Sequence, residues 1–281
     1  MKHVIGLGEI LWDLLPDGKK LGGAPANFAY HAHAISSNKV EAYIASAIGN
    51  DALGREIQAQ LNDLGVNQDY LAIDEQHKTG TVTVTVDNQG QPDYCIDKNV
   101  AWDFIPSISK SLINKADAVC FGSLAQRSPV SVQTILNFLD GLPENTLRIF
   151  DINLRQQFYN VEVIDESLKR ANVFKINDEE LQIIAQLFKL SGDENTLLAK
   201  LSEQYQLKLC ILTKGDKGSV LYTVEQTSIH QGFKVVVKDT VGAGDAFTAA
   251  VVIGLLNDFE LDYMHDCANR LAAFVCASFG A

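Results

Sequence analysis

A carboxylate stands at the start of a predicted helix, directly after a glycine turn. Residues 239–247 read D-T-V-G-A-G-D-A-F, and they follow a valine run at 235–237 that predicts a strand. The first amide groups of a helix lack intrahelical partners and lie at the positive end of its dipole, so a strand, a glycine turn and a helix form an anion site. We expect the amides of Gly242, Ala243 and Gly244 to bind an anion such as a phosphoryl group.

Asp245 is the acidic residue of this turn, and a bound phosphate would repel it. It is either a simple complement to the helix dipole or a general base for a hydroxyl that attacks a phosphoryl group. In the second case the dipole would keep the carboxylate ionised, while the turn amides stabilise charge on the transferred group. The turn is not a P-loop, because no Lys-Ser/Thr pair follows. It is not the dinucleotide fingerprint either, because Phe247 replaces the third glycine.

The composition restricts the function classes. The chain has 281 residues, 47% of them hydrophobic and 21% charged, as expected for a globular protein with a substantial core. A net charge of −12 disfavours nucleic acid and anionic membranes as partners, because both require a positive face. Apolar runs are too short to span a membrane, the start lacks a secretory pattern, and the five cysteines form no C-x-x-C pair. These features predict a cytoplasmic protein with reduced cysteines.

Alternating strands and helices must position the glycine turn. Short β-branched runs predict buried strands at 3–8, 42–45, 118–121, 148–151, 173–176 and 209–212. Helical patterns separate them, and one such helix begins after Asp51 and ends at Gly65. Buried strands that alternate with helices indicate an α/β fold with a mostly parallel, doubly wound sheet.

One region departs from this pattern. Residues 81–86 alternate with a period of two, a turn pattern follows at 87–90, and the strand pattern resumes at 94–96. Residues 11–21 predict a further strand. We interpret these pieces as a small β-sheet inserted into the α/β domain, where it would act as a lid. The alternative is a solvated edge hairpin of the main sheet, and periodicity alone does not decide between the two.

Seven short motifs, in order along the chain, resemble signatures of the ribokinase-like (PfkB) family of carbohydrate kinases. The 239–247 stretch resembles the C-terminal signature, and G-G-A-P-A-N-F-A at 22–29 resembles the N-terminal signature in its fructokinase form. The other five are G-E-x-L-x-D at 8–13, G-N-D-x-x-G at 49–54, D-I-N-L-R at 151–155, K-I-N-D-E-E at 175–180 and T-K-G-D-K-G-S at 213–219. The resemblance covers essentially the whole chain.

The resemblance implies a ribokinase-like three-layer α/β/α fold, with one domain over 1–281 and a β lid built from 12–21 and 79–103. It implies an ATP-dependent sugar kinase in which Asp245 is the base and the turn amides form the anion hole. Fructose, phosphorylated at its 6-hydroxyl, is the best candidate substrate. The alternatives are a kinase for ribose or another furanose, a 2-keto-3-deoxy sugar acid or a nucleoside, and a non-catalytic sugar-binding regulator. The missing third glycine disfavours a nicotinamide-dependent dehydrogenase.

Five positions match the family pattern on the substrate side of the site. The resemblance implies sugar binding by Asp13 and Asn27, a hinge between lid and core at Gly22 and Gly23, and contact of Arg155 with substrate or the transferring phosphoryl group. A carboxylate and an amide suit a polyol, and a guanidinium suits oxyanions. Residue chemistry alone also allows Asn27 as a helix cap, the glycines as an ordinary turn and Arg155 in a surface ion pair.

Other positions match the nucleotide site. By resemblance, Asn177 belongs to an N-x-x-E motif that organises phosphate and water. Thr213, Gly215 and Gly218 line the nucleotide pocket through a turn that allows close backbone approach. Asn269 lies on a helix near the adenine. The resemblance thus implies ATP as the phosphoryl donor.

The resemblance also implies ions. Glu180 completes the N-x-x-E motif and acts indirectly on Mg²⁺, which ATP phosphates and water mainly hold. The same spacing predicts a capping box with Asn177 at the helix start, and both roles can hold together. Some family members bind a monovalent cation such as K⁺ beside the anion hole. Asp239 and the carbonyl of Val241 are the matching positions.

The predicted lid controls which sugar fits, and it departs from the fructokinase pattern. Residues 94–103 lack the arginine that is common there, and Lys98 is the candidate to replace it. Ile152 replaces the usual proline, which affects rigidity more than chemistry. An apolar face on the lid hairpin would allow pairing across a two-fold axis. A homodimer is therefore a hypothesis, which a purely monomeric mass in solution would exclude.

Overall fold

The computed structural model describes residues 1–15, 18–86 and 92–278. Within them the strands are β1 (Lys2–Leu7), β2 (Leu11–Leu15), β3 (Gly18–Gly22), β4 (Val40–Gly49), β5 (Leu71–Asp74), β6 (Gly80–Val86), β7 (Pro92–Ile96), β8 (Ala118–Phe121), β9 (Leu147–Asp151), β10 (Val173–Asn177), β11 (Leu209–Thr213), β12 (Ser219–Tyr222) and β13 (Thr227–His230). The α-helices are α1 (Ala24–Ile35), α2 (Ala52–Asp63), α3 (Lys110–Lys115), α4 (Pro129–Asp140), α5 (Val161–Arg170), α6 (Asp178–Leu187), α7 (Glu194–Tyr205), α8 (Ala243–Leu256) and α9 (Leu261–Cys276).

A nine-stranded sheet forms the centre of the fold, in the order β13-β12-β11-β10-β9-β8-β1-β4-β5. The strands from β11 to β5 pair in parallel, whereas β12 and β13 are antiparallel additions at one edge. Strands of this sheet occur at each of the predicted positions, 3–8, 42–45, 118–121, 148–151, 173–176 and 209–212, and only Gly8 lies beyond the end of its strand. The mostly parallel α/β prediction is confirmed.

Helices cover both faces of this sheet because its strands are apolar on both sides. On β9, Ile149 packs with residues of α1, α8 and α9, while the neighbouring Phe150 points into the opposite core with α4 to α7. Phe150 stacks between Phe121 and Phe174 of the adjacent strands, with ring centroids 5.3 and 5.8 Å away. These two cores give the three layers of the fold.

A second, four-stranded sheet lies outside the main sheet, in the order β3-β2-β6-β7. The predicted hairpin is present as the antiparallel pair β6 and β7, and residues 11–21 contribute β2 and β3 rather than one strand. The predicted turn at 87–90 lies outside the described residues. The alternative of an edge hairpin on the main sheet is wrong, because β6 pairs with β2 and β7. The function of this sheet as a lid stays a prediction.

The prediction of a strand at 235–237 is wrong. Residues 231–242 form neither helix nor strand, and Val236 and Val237 are 84% and 59% exposed. The backbone just after this run forms hydrogen bonds with the end of α9 instead. The amide of Lys238 donates to the carbonyl of Cys276 at 2.8 Å. A run of β-branched residues indicates only a weak preference for a strand, and the tertiary context overrides that preference here.

Two findings bear on the expected environment of the protein. No helix within 1–15, 18–86 and 92–278 is both long and apolar enough to cross a membrane. The five cysteines, at positions 95, 120, 210, 267 and 276, form no disulfide with one another. Cys120 and Cys210 are buried in the cores, where thiols act as small apolar side chains.

Candidate active site

Several of the predicted site residues follow the carboxyl ends of strands in the main sheet: Arg155 follows β9, Asn177 ends β10 and Thr213 ends β11. Ligands bind at this edge in open α/β sheets. Two helices begin there. The first is α1, with Gly23 as its N-cap, and the second is α8, with Gly242 as its N-cap. Neither glycine offers a side chain to cap its helix, so the first-turn amides are left for other partners.

The glycine turn starts α8 as predicted. Gly242 has φ 77°, a left-handed conformation that favours glycine. The amide of Ala243 donates to the carbonyl of Thr240 at 3.3 Å, so this amide is partly engaged. Gly244 lies at the second position of the helix, where an amide has no intrahelical acceptor. The turn therefore presents a helix N-terminus suited to an anion.

Asp245 occupies the third position of α8, and a residue of another helix holds it. The side-chain amide Nδ2 of Asn27 donates to Oδ2 of Asp245 at 2.9 Å. Asn27 lies in the first turn of α1 but is not its cap, because the helix begins at Ala24 after Gly23. The helix-cap alternative for Asn27 is wrong, and the structure brings the predicted base and a predicted sugar residue into contact.

The electrostatic environment of Asp245 differs from the expectation. Burial raises its pKa to about 6, and the negative charge of Asp151 acts in the same direction. The hydrogen bond from Asn27 and the charges of Lys175 and Arg155 lower the pKa. Desolvation thus opposes the ionised state that the helix dipole was expected to favour. With a pKa of about 6, the group is still mostly ionised at pH 7 and is well placed to accept a proton near neutrality.

A buried ion pair lies beneath the glycine turn. Nζ of Lys175, on β10, is 3.0 Å from Oδ1 of Asp151, on β9, and both side chains are less than 10% exposed. Burial opposes the charge of Lys175, but Asp151 and Glu180 together raise its pKa. A Cβ placed on Gly244 would lie 3.3 Å from Nζ of Lys175, so this ammonium group packs against the turn. Sequence reasoning assigned no role to Lys175, although a lysine inside an apolar strand was a signal.

Thr248 connects this ion pair to α8. Its hydroxyl Oγ1 lies 3.1 Å from Oδ2 of Asp151 and 3.0 Å from the carbonyl of Gly244, one turn earlier in the helix. Thr248 is fully buried. The first turn of α8 is therefore fixed to the ends of β9 and β10.

Asp13 comes to the site from the second sheet. Burial raises its pKa to about 6, against the charges of Arg155 and Lys20, which lower it. Gly22, on the next strand, is required for this placement, because a Cβ there would lie 2.3 Å from Oδ2 of Asp13. Gly23 follows with φ 108°, and its Cβ would lie 2.5 Å from the carbonyl oxygen of Glu9. The sheet thus joins α1 through two glycines that have no room for a side chain.

Arg155 is exposed in the loop after β9 and faces the carboxylates of the site. Its charge lowers the pKa of Glu9, Asp13 and Asp245. The guanidinium Nη1 donates to the carbonyl of Leu154 at 3.2 Å. Among the described residues Arg155 has no ion-pair partner within 4.0 Å, so the surface ion pair considered from sequence is not formed.

The N-x-x-E motif forms the predicted capping box. The amide of Glu180 donates to the side chain of Asn177 at 2.8 Å, and Oε2 of Glu180 accepts the amide of Asn177 at 2.9 Å. Oε1 of Glu180 accepts the amide of Leu154 at 2.8 Å. Both carboxylate oxygens are therefore used inside the protein, which fits an indirect role toward Mg²⁺ and not direct coordination. No cluster of three metal-ligating side chains occurs in the part of the chain that the structure describes.

The predicted nucleotide turn lies at the end of β11. The amide of Lys214 donates to the carbonyl of Gly218 at 2.8 Å and closes the turn. A Cβ on Gly215, which has φ 56°, would meet no atom within 4 Å, so this residue borders open space. A Cβ on Gly218 would lie 2.0 Å from the carbonyl oxygen of His230, so only glycine fits there. Thr213 is the last residue of β11 and is partly exposed beside this turn.

Asn269, the predicted adenine neighbour, is held inside the protein. Its Oδ1 accepts from the hydroxyl of Ser219 at 3.1 Å, and its Nδ2 donates to the carbonyl of His265 at 2.8 Å. The residue is 6% exposed. Its side chain fixes α9 against β12, and a direct contact with adenine stays a prediction.

Asp239, predicted beside a monovalent cation, already faces a cationic side chain. Nζ of Lys20 on β3 is 2.6 Å from Oδ2 of Asp239, and Oδ1 accepts the amide of Val241 at 3.0 Å. The ammonium group thus supplies a positive charge at this carboxylate and connects the second sheet to the loop before the glycine turn. Each oxygen of Asp239 thus has one partner, and a monovalent cation at Asp239 and the carbonyl of Val241 stays a prediction.

Known carbohydrate kinases are similar to this chain over most of its length. Residues 17–281 match the sequence profile of the pfkB family of carbohydrate kinases. A fructokinase of Salmonella typhimurium is 31% identical over 265 residues, which are 89% of this chain and 83% of that protein.

Two solved structures are similar over nearly the whole chain. The sugar kinase of Pyrococcus horikoshii in complex with ATP has 28% identity and a TM-score of 0.84, covering 99% of this chain and 93% of its own. The fructokinase of Vibrio cholerae with bound fructose, ADP and calcium has 26% identity and a TM-score of 0.81. The match covers 100% of this chain and 94% of the Vibrio chain.

The chain belongs to the pfkB family of carbohydrate kinases. Its fold is ribokinase-like, with a second small sheet beside the main one. It is an ATP-dependent sugar kinase.

The contact between Gly22 and Asp13 gives a test of the sugar side of the site. An alanine at position 22 would displace the Asp13 carboxylate, because its Cβ would lie 2.3 Å from Oδ2. If Asp13 binds sugar, Gly22→Ala should lower kcat/KM for the sugar by about tenfold or more while the KM for ATP stays unchanged. Steady-state kinetics with each substrate varied in turn measures both values.

Gly141→Ala is the matched control, because the added Cβ would meet only the Ile113 side chain, at 3.3 Å, and the Asn137 carbonyl. It should leave both constants near those of the unmodified enzyme. Equal losses for sugar and ATP in Gly22→Ala would contradict the assignment of Asp13 to the sugar.

Proposed function

We propose that this kinase phosphorylates fructose at its 6-hydroxyl, with Asp245 as the general base. The observation that carries the proposal is the placement of Asp245. A carboxylate with a pKa raised to about 6 lies in the first turn of α8, beside glycine amides suited to a phosphoryl group, and Asn27 holds it at 2.9 Å. A binding protein has no need of a proton acceptor at an anion site.

The residues support an in-line phosphoryl transfer. The sugar hydroxyl attacks the γ-phosphorus of ATP, its proton passes to a carboxylate oxygen of Asp245, and the bond from phosphorus to the β,γ-bridging oxygen breaks to release ADP. The amides at Gly242 and Gly244 face the charge on the transferred group, and Arg155 adds a guanidinium near the same carboxylates. Mg²⁺ bound to the phosphates would neutralise charge on the nucleotide.

Fructose is proposed from the relatives and from the polar groups of the site. The Salmonella relative is a fructokinase, and the Vibrio structure contains fructose with ADP. Asp13 and Asn27 offer a carboxylate and an amide, which suit adjacent hydroxyls. Lys98, the candidate replacement for the arginine that is common in the lid of fructokinases, lies 5.2 Å from the centre of the Phe158 ring. Asp13 on β2 and Asn27 on α1 thus supply the polar groups that favour fructose, whereas the main departure from the fructokinase pattern, at Lys98, follows β7.

A substrate panel tests the choice of sugar. With Mg²⁺ and ATP, we expect sugar-dependent ADP release to have its highest kcat/KM with fructose, among ketoses, aldoses, 2-keto-3-deoxy sugar acids and nucleosides. Phosphorus NMR of the product should show a 6-phosphate. A higher kcat/KM for any other acceptor would replace fructose, and the absence of ADP release with every acceptor would favour a sugar-binding regulator.

Replacing the carboxylate tests the base. Asp245→Asn keeps the shape of the side chain but cannot accept the proton, so kcat should fall by about 10²–10⁴-fold. In the unmodified enzyme, kcat should decrease as the pH falls through about 6, because protonation of Asp245 removes the base. ATP and fructose affinities, measured by calorimetry, should change little. A kcat near that of the unmodified enzyme would contradict the role of Asp245.

A further inference from the structure

Arg127 is a buried cation that the proposed reaction does not use. It is the last residue of a short 3₁₀ turn, Leu124–Arg127, that follows β8 of the main sheet. Its side chain is 6% exposed. Burying a guanidinium group costs free energy unless its donors meet acceptors in a good geometry, so the partners of Arg127 indicate what it does.

The guanidinium group holds the segment that leaves the second sheet, residues 97–103, which follow β7. Nε of Arg127 donates to Oδ1 of Asp103 at 2.7 Å, and Nη2 donates to Oδ2 of the same carboxylate at 2.8 Å. Nη2 also donates to the carbonyl oxygen of Asp97, the first residue after β7. One side chain from the end of β8 thus contacts both ends of this segment.

Two aromatic rings lie against the same guanidinium group. Its central carbon Cζ is 3.9 Å from the centre of the Trp102 ring and 4.9 Å from the centre of the Phe158 ring. Trp102 belongs to the held segment, and a Cβ on Gly80 would lie 2.1 Å from its Nε1, so the ring packs on the start of β6. A planar guanidinium group can stack on aromatic rings while its fork binds a carboxylate, and a lysine cannot reproduce that combination.

The held segment continues from the row of paired residues that contains Asp13. In the register of the second sheet, Asp13 on β2 pairs with Val82 on β6, and Val82 pairs with Ile96 on β7. Ile96 directly precedes Asp97, whose carbonyl oxygen Arg127 binds. A displacement of Asp97 would therefore move the row in which Asp13 lies.

Phe158 connects the guanidinium group to the loop that carries Arg155. The amide of Phe158 donates to the carbonyl of Arg155 at 3.0 Å, within the loop that follows β9. Nζ of Lys98, from the held segment, lies 5.2 Å from the centre of the same ring. Arg127 therefore contacts the second sheet's exit segment on one side and the neighbour of Arg155 on the other.

Stability alone does not account for a charged residue at this place. Nη1 of Arg127 is buried and has no hydrogen-bond partner among the residues that the structure describes, which costs free energy. Apolar side chains can often replace a buried ion pair with no loss of stability, whereas two parallel hydrogen bonds to one carboxylate fix its direction. The contacts of Arg127 are thus suited to fixing orientation.

We propose that Arg127 is a positioning residue for the sugar. It fixes residues 97–103, and with them the row that contains Asp13, relative to the loop that carries Arg155. The inference rests on the proposed function, in which Asp13 binds the sugar and Arg155 lies beside the reacting groups. Arg127 acts through these two residues and sets how the two sides of the sugar site face each other.

Arg127→Lys tests the proposal, because it keeps the positive charge but not the planar fork. We expect kcat/KM for the sugar to fall by about tenfold or more, since Asp13 is displaced, while the KM for ATP stays within about twofold. Steady-state kinetics measures both values with the acceptor that has the highest kcat/KM in the substrate panel, so the test does not depend on fructose. Unchanged sugar kinetics, or equal losses for sugar and ATP, would overturn the proposal.

Arg170→Lys is the matched control. Arg170 on α5 forms the same kind of fork with Asp140, the last residue of α4, through Nε at 2.6 Å and Nη2 at 3.1 Å. This variant should leave both constants near those of the unmodified enzyme. A loss for the sugar as large as in Arg127→Lys would overturn the proposal, because the effect would not be particular to the held segment.

A double variant separates orientation from stability and replaces Arg127→Lys if that protein does not fold. Arg127→Met with Asp103→Asn leaves no unpaired charge buried, and the asparagine oxygen can still accept the amide of Val100, which Oδ2 of Asp103 accepts at 3.2 Å. We expect thermal unfolding near that of the unmodified enzyme, but the same loss of about tenfold or more in kcat/KM for the sugar. Unmodified sugar kinetics in this variant would show that the pair is only structural and would overturn the proposal.

Amide hydrogen exchange gives a readout that needs no turnover. Without ligands, the amides of β6, β7 and residues 97–103 should exchange about threefold faster or more in Arg127→Lys, because this part opens locally more often, while the main sheet is unchanged. Equal exchange in the two proteins would overturn the proposal.

The same measurement separates this inference from the proposed function. If the unmodified protein releases no ADP with any acceptor, the proposed function fails, and faster exchange in Arg127→Lys still supports Arg127 as the anchor of the second sheet. Calorimetric affinity for fructose then takes the place of turnover. A weaker affinity in Arg127→Lys would support the positioning of the sugar, and an equal affinity in the two proteins would overturn it.

Discussion

In the proposed site, one buried carboxylate, that of Asp245, must stay ionised, and its side chain must keep one orientation. Burial disfavours its charge, and Asp151 nearby disfavours it further. The hydrogen bond from Asn27 and the positive charges of Lys175 and Arg155 offset these effects, so the pKa settles near 6. A higher pKa would leave the proposed base protonated at neutral pH, and an ordinary one would make it a weaker proton acceptor.

The architecture of the fold provides these partners from separate elements. Asn27 comes from α1, Lys175 from β10 and Asp151 from β9, and Thr248 joins the last of these to α8. The parallel sheet brings the carboxyl ends of its strands to one edge, and the start of α8 lies against them. The second sheet adds Asp13 through Gly22 and connects to the glycine turn by the ion pair between Lys20 and Asp239. The proposed base, the residues that contact it and the residue proposed to bind sugar are thus connected through the fold.

The sequence predicted the elements with strong local patterns. The core strands, the hairpin, the capping box of Asn177 and Glu180 and the glycine turn are all present, because each depends on neighbouring residues. The strand predicted from the valine run at 235–237 is absent, because the backbone that follows it, at Lys238, bonds to the distant end of α9. The bond between Asn27 and Asp245 joins residues 218 positions apart, and no local pattern indicates it. The raised pKa of Asp245 was missed for the same reason, since burial is a property of the assembled site.

The most direct test of the central claim is the titration of Asp245 itself. Carbon NMR of protein labelled at the carboxyl carbons of aspartate, without ligands, would follow each group with pH, and the signal lost in Asp245→Asn identifies the residue. A midpoint near pH 6 is predicted, because burial and Asp151 outweigh Asn27, Lys175 and Arg155. A midpoint near the ordinary value of 3.8 would show that the carboxylate is solvated and would contradict the account.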